Sequence, residues 1–416
     1  MVRIATDLRP RLLDAAGYAL CAVFAGVTAL TSTLLPHRAW GAIAWIGYAA
    51  AALAVLVIGR LRVVPLAFAA TALLPLAVEA AQRAAGRTDR AQEEVLVVEQ
   101  MGARLVDAGT PYLSHTAIAG LPADERLLGY APYQPGMALF GLPRAAFGAA
   151  WWTDARVWFA VVTVFCLVYC MSLLRPGSPP QRSLRLAQAV AVLPLCTLTL
   201  ATGGDDLPVL TLCLLALAFA ARDRFVAAGV AAGLAGALKL FALPVALVLL
   251  ALVLAARDPD SPPAPRLLDR FTISRTAGWF AAGAFGIPLL ALVPALLVDA
   301  DSYIENALRF PAGHGLVTSP AQSPLPGHLI ATSVAGGRAI ALALLLLAGV
   351  AIAVRLLRRP PTTAGTAAAY VAAGLTAAIM LTPSTRFGYL LYPVAFLALW
   401  WSLRPPELAR PGEAGR

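Results

Sequence analysis

The sequence predicts an all-α integral membrane protein of about 12 transmembrane helices with two long external loops, and two observations carry that prediction. The chain is 60% hydrophobic and 13% charged, against roughly 45–50% and about 25% in soluble domains. Its charge-free runs also have the length of a bilayer. There are 21 residues between Arg38 and Arg60, 18 between Arg156 and Arg175, 19 between Arg185 and Asp205 and 23 between Arg275 and Asp299. Each is close to the roughly 20 residues with which a helix crosses a hydrocarbon layer of about 30 Å. The runs are rich in Ala, Leu and Val and lack the alternation of barrel strands. Backbone N–H and C=O groups must be satisfied internally in lipid, so the runs read as helices.

Spans are predicted near 12–35, 40–59, 63–81, 156–174, 186–202, 207–221, 225–238, 241–256, 276–298, 338–354, 363–382 and 387–403. At the start, Arg3, Arg9 and Arg11 precede an apolar stretch that runs past Leu34 without a small-residue cleavage site. An uncleaved first helix is therefore expected rather than a signal peptide. With both termini in the cytoplasm, the alternation places the loops 59–62, 175–185, 222–224, 257–275 and 355–361 inside. These pieces and the termini hold 20 of the 32 basic residues but 7 of the 22 acidic ones. The positive-inside rule is obeyed, and topology rather than nucleic acid accounts for the net charge of +10.

The runs 207–221 and 225–238 are short and could form a hairpin that crosses only part of the layer. The apolar stretch 136–150, interrupted by Pro143 and Arg144, reads as a re-entrant or interfacial helix. Residues 257–275 and 404–416 read as solvated linker and cytoplasmic tail. All five cysteines fall in apolar runs without a CxxC pair, as small buried side chains do.

The external loops 82–135 and 299–337 are long, and loops of that length are usually functional or disordered. In the first, a helical run at 93–107 puts Leu96, Val97, Met101 and Leu105 near one face, as in an amphipathic surface helix. Its carboxylates, Glu93 and Glu94 among them, are either the wet side of that helix or, if one enters a cavity, a general base. In Gly203-Gly-Asp205-Asp206-Leu-Pro208, paired aspartates at a short turn can cap the next helix or hold a ligand. Lys239 is the only lysine in the chain and sits between apolar runs. It either snorkels from a helix end or meets a polar cavity. Arg386, between two apolar runs, suits a phosphate that its planar fork can grip, or a lipid headgroup. The second loop adds Asp299, Asp301, Tyr303, Glu305, Arg309, His314 and His328. No HExxH, GxSxG, Walker A or GxGxxG motif is present, which argues against a zinc hydrolase, a serine hydrolase and a nucleotide-binding domain.

Taken together, Glu94-Val-Leu-Val-Val, Gly109-Thr-Pro-Tyr112, Tyr130-Ala-Pro-Tyr133, Gly203-Gly-Asp-Asp206-Leu-Pro208, Lys239-Leu-Phe-Ala-Leu-Pro244 and Pro383-Ser-Thr-Arg386-Phe-Gly-Tyr resemble the GT-C membrane glycosyltransferases. The likeness is narrowest to glycosyltransferase family 87, the polyprenyl-phosphate-mannose-type enzymes of actinobacteria, and it spans about residues 90–400. The resemblance implies a bacterial plasma-membrane enzyme with its active site on the external face. It would move a sugar, mannose by family likeness, from a polyprenyl monophosphate to a hydroxyl of a glycolipid or cell-envelope glycan, with inversion. Glu94, where Asp is commoner, would be the base, with Glu93 as a substitute. Arg386, Lys239 and His314 would hold the carrier phosphate, and Tyr112, Tyr130, Tyr133, Asp205 and Asp206 the sugar or acceptor. No metal or other cofactor is expected, and membrane lipids are the remaining partner. Residues 1–62 read as an N-terminal addition of two helices before a catalytic unit at 63–403. The competing class is a secondary transporter, which places its polar residues on broken helices near the midplane and repeats its halves.

Overall fold

The structure is a computed structural model that describes residues 2–175, 180–256 and 274–404. The predicted linker 257–275 and tail 404–416 fall, apart from their edge residues, outside the described residues. Helices α1 (Val2–Thr31), α2 (Leu35–Val57) and α3 (Arg60–Ala84) come first, then the loop-borne α4 (Glu93–Ala108) and α5 (Ala155–Leu174). Helices α6 (Pro180–Ala191) and α7 (Pro194–Thr202) meet at a 40° bend. Among the other described helices, the main apolar ones are α8 (Asp206–Ala220), α9 (Phe225–Leu238), α10 (Leu243–Ala255), α11 (Arg275–Arg309), α12 (Gly337–Arg358), α13 (Ala364–Leu381) and α14 (Leu391–Ser402).

An apolar helix thus answers each predicted span, but the count of about 12 full crossings does not carry over. Seven described helices (α1, α2, α3, α5, α11, α12 and α13) are long and apolar enough to cross a membrane, or eight if the bent pair α6–α7 is one span. Helices α8, α9, α10 and α14 are shorter, because the chain breaks at Asp205, at Lys239 and after Arg386. The chain is a multi-pass helical membrane protein.

The second long loop is also shorter than the sequence suggests. Instead of opening at Asp299, α11 continues to Arg309. Asp299 is non-helical (φ −159°, ψ 94°), and its carboxylate accepts from the Ser302 amide at 3.1 Å, so a fresh helical turn starts there. The interfacial stretch expected at 136–150 is a 3₁₀ turn, Pro135–Phe140, followed by a short helix, Leu142–Phe147.

Packing follows the distribution of apolar residues. All fifteen residues of α8 are buried, as expected for a helix that is hydrophobic on every side. Helix α12, at the edge, buries only Gly337 and Ala341 and turns the rest outward. Helix α2 buries Trp40, Ala44, Tyr48, Ala51 and Val55, a stripe at three- and four-residue spacing. Its two polar aromatics bond where neighbouring helices are irregular. The Trp40 indole N–H donates to the Thr71 carbonyl, inside a π turn of α3, at 2.8 Å. The Tyr48 hydroxyl donates to Val192 O, at the α6–α7 bend, at 2.6 Å. The first two helices are therefore keyed into the bundle by backbone groups that helix irregularities release.

Candidate active site

The polar side chains that the sequence scatters through loops gather at one end of the bundle, in two linked clusters. Helix α4 lies across that end with Val95, Val98 and Met101 fully buried and Leu96 and Leu105 half-buried. Gly102 of α4 meets Gly141 backbone to backbone; a Cβ on Gly102 would come within 2.3 Å of Gly141 C, so no larger residue fits without moving the loop. With α4 seated in this way, Glu94 and Glu93 part company. Glu93 is exposed, whereas Glu94 pairs through Oε1 with Nη1 of Arg386, 292 positions away. Burial disfavours the Arg386 guanidinium, but the Glu94 carboxylate outweighs it and keeps Arg386 above the usual arginine value.

Arg386 is extended (φ −129°, ψ 143°) and held from behind. The Thr385 amide donates to Ala321 O and the Ser323 amide to Thr385 O, both at 2.9 Å. Phe387 N–H donates to Ser323 Oγ at 3.0 Å. The remainder of the second loop thus fixes the arginine that answers a carboxylate from the first. The Arg386 side chain stays 31% exposed, enough to meet a ligand.

In the second cluster, Lys239 Nζ lies 2.7 Å from Asp205 Oδ2 and 2.6 Å from Asp206 Oδ1. The Tyr392 hydroxyl donates to Asp206 Oδ1 at 2.9 Å. This geometry chooses between the alternatives left open above. Asp205 stands at the N-cap of α8 but makes no capping hydrogen bond, since its carboxylate goes to lysine. Lys239 does not snorkel; it ends α9 in an extended conformation and its side chain is 12% exposed. Both carboxylates sit at the N-terminus of the most buried helix, where the helix dipole favours negative charge. The cluster carries one cation and two anions.

Two tyrosines join the clusters. Lys239 lies over the Tyr133 ring, 5.1 Å from its centroid. Tyr133 is within electrostatic range of Glu94, Asp205 and Asp206, and Tyr389 within range of Lys239, Asp206 and Arg386. Burial first, and these carboxylates second, keep the Tyr133 phenol well above the ordinary tyrosine value, so it stays protonated and able to donate. Beside the site an apolar cavity of 210 Å³ opens between α9, α10 and α11; Gln134, Gly236, Leu240, Phe285, Pro288 and Tyr303 are among its lining residues.

Other expected site residues lie elsewhere. Tyr112 is buried, edge-on to Tyr303, and donates to Tyr133 O at 2.8 Å, so it supports the site from beneath. Tyr130 stacks on Phe310 at 4.2 Å and donates to Glu305 Oε1 at 2.8 Å, a bond that ties the first loop to the last turns of α11. His314 is exposed, with no side-chain contact to Arg386 or Lys239 among the described residues. The sequence reading missed Tyr389, Tyr392 and His37. Tyr389 already stood in the Arg386-Phe-Gly-Tyr motif. His37, in the first turn of α2, reaches the Gln92 side chain and is within electrostatic range of Glu94 and Arg386; its place between the first two predicted spans, on the side of the long loops, was the available signal.

Carboxylates and cations from distant parts of the chain thus converge in one site of a helical membrane protein. The profile of glycosyltransferase family 87 matches residues 130–385, more than half of the chain, and the chain belongs to that family. No curated protein sequence matches it. Among solved structures, ArnT from Cupriavidus metallidurans in the apo state is similar at 18% identity and a TM-score of 0.47, over 81% of this chain and 58% of that one. The same protein bound to undecaprenyl phosphate gives 16% identity and a TM-score of 0.48, over 81% and 59%. The chain thus covers less than two thirds of the length of these structures.

Proposed function

We propose that this chain transfers a sugar, mannose by family resemblance, from a polyprenyl monophosphate to an acceptor hydroxyl on a glycolipid or envelope glycan at the external face. Family membership supports the reaction class. The single observation that carries the reading is the pairing of Glu94 with Arg386, linked through Tyr133 to the Lys239 cluster; Gln134 and Leu240, the chain neighbours of Tyr133 and Lys239, line an apolar cavity. The cavity suits the first isoprene units of a carrier, and Arg386 its phosphate. A guanidinium has five N–H donors, so the fork that meets Glu94 also has donors for phosphate oxygens.

In the proposed step the acceptor oxygen attacks the anomeric carbon from the face opposite the phosphate, and the carbon–oxygen bond to phosphate breaks with inversion. Glu94 takes the acceptor proton as that bond forms. The donor is a phosphodiester with one negative charge, and the departing polyprenyl phosphate is a monoester that carries a second. Arg386 stabilises the charge as it develops. Lys239 is already matched by Asp205 and Asp206, so in this reading the three hold sugar hydroxyls rather than phosphate, with the Tyr133 ring as a wall.

The test is transfer of labelled sugar from decaprenyl-phosphate mannose to endogenous acceptors in membranes containing the protein. Glu94→Gln is expected to abolish labelling while thermal stabilisation by decaprenyl phosphate persists. Full labelling by that variant, or solute uptake into vesicles without labelling, overturns the reading.

A further inference from the structure

Behind the site lies a second set of charges that the chemistry above does not use. Arg156, in the first turn of α5, is wholly buried. Its Nε and Nη2 bond the two Asp154 oxygens at 2.9 and 2.8 Å. Its Nη1 faces Arg90 O at 2.7 Å, Ala201 O at 2.8 Å and Glu79 Oε2 at 3.2 Å. Arg90 O belongs to the strap that leads into α4 and Glu94, and Ala201 O to the last turn of α7, just before Asp205 and Asp206. The same two segments meet again at Gln92, whose amide donates to Thr202 O at 2.9 Å and whose Oε1 accepts from Thr202 Oγ1 at 2.9 Å. One guanidinium therefore spans the segment that carries the carboxylate base and the segment that carries the aspartate pair, with the Asp154 carboxylate paired to it through both oxygens and Glu79 as a further acceptor.

We propose that Arg156 is a positioning residue that sets Glu94 against the aspartate pair by bracing the 90–92 strap to the end of α7, with the Gln92–Thr202 bonds as a second tie. The proposal rests on the reading of Glu94 as the base. Lysine in place of Arg156 keeps the charge beside Asp154 and Glu79 but has one nitrogen, which cannot serve both carbonyls and both carboxylates.

Two arms test the brace on the full-length protein in detergent and in membranes. Hydrogen exchange of amides 88–98 is expected to run at least about tenfold faster in Arg156→Lys, with the α8 amides unchanged. Transfer from decaprenyl-phosphate mannose is expected to lose about tenfold or more in kcat with the donor KM within about twofold, because misplaced reacting groups slow chemistry rather than binding. Gln92→Ala with Thr202→Val, a milder break, is expected to move both readouts the same way and decides the matter if Arg156→Lys does not fold. Unchanged exchange at 88–98, an unchanged kcat despite faster exchange, or a rise in KM equal to the whole loss overturns the proposal. If the unaltered protein transfers no sugar from that donor, it is the assignment of Glu94 that falls, and the exchange arm alone then judges the brace.

Discussion

The charges around Arg156 and those around Arg386 are both ion-pair clusters assembled from distant parts of the chain, and they differ in access to solvent. The Arg156 and Glu79 side chains are 0% exposed, whereas Arg386 and Glu94 are 31% and 16% exposed. Around Arg156, each guanidinium meets carboxylates or carbonyls on several sides. Arg83 donates to both Glu99 oxygens at 2.7 and 2.6 Å and to Asp154 at 3.1 Å. Burial alone would push the Asp154 carboxyl up, but the Arg156 and Arg83 guanidiniums beside it hold it down at about 2. Glu94 and Arg386 make a single contact and keep spare hydrogen-bonding capacity. Enclosed guanidiniums bonded on several sides hold a shape, and a partly exposed pair is available to a substrate.

Substitutions on the two sides of this divide should separate cleanly. The largest effect belongs to Glu94→Gln, expected to slow transfer about a thousandfold, within the usual span for loss of a general base, while the unfolding midpoint stays put. A midpoint that falls with activity would put Glu94 among the structural charges. Arg83→Gln should do the reverse. It leaves Glu99 buried with less compensation, at a cost of about 3–5 kcal/mol in denaturant unfolding, and a cost below about 1 kcal/mol would erase the distinction drawn here. Arg386→Lys keeps charge but loses the planar fork, so donor KM should rise about tenfold with little change in stability. His314→Ala should have the smallest effect, changing transfer by less than about twofold, as for an exposed side chain without partners among the described residues. A tenfold loss there would return His314 to the phosphate site.

Much of the helical architecture was legible because lipid leaves so few solutions: apolar runs of sufficient length had to be helices. What hydropathy could not foresee were the interruptions. Asp299 ended a predicted span, but the local hydrogen bond to Ser302 by which the helix restarts leaves no trace in hydropathy, and the bend between α6 and α7 at Pro194 does not change apolarity enough to register. The candidate site was legible residue by residue where a charge stood in apolar surroundings, as with Lys239 and Arg386. Its pairings were not, because Glu94 meets Arg386 across 292 positions and no periodicity links them. Arg156 escaped notice because a buried arginine at a helix start reads in sequence like any loop charge at a membrane surface.

Lys239 has one more consequence. Since every other basic side chain is arginine, the protein has a single ε-amino group, lodged between two aspartates at the point where the clusters meet. Amine-directed chemistry therefore has a single side-chain target. A reagent that modifies it reports how often this interior opens, without an engineered label.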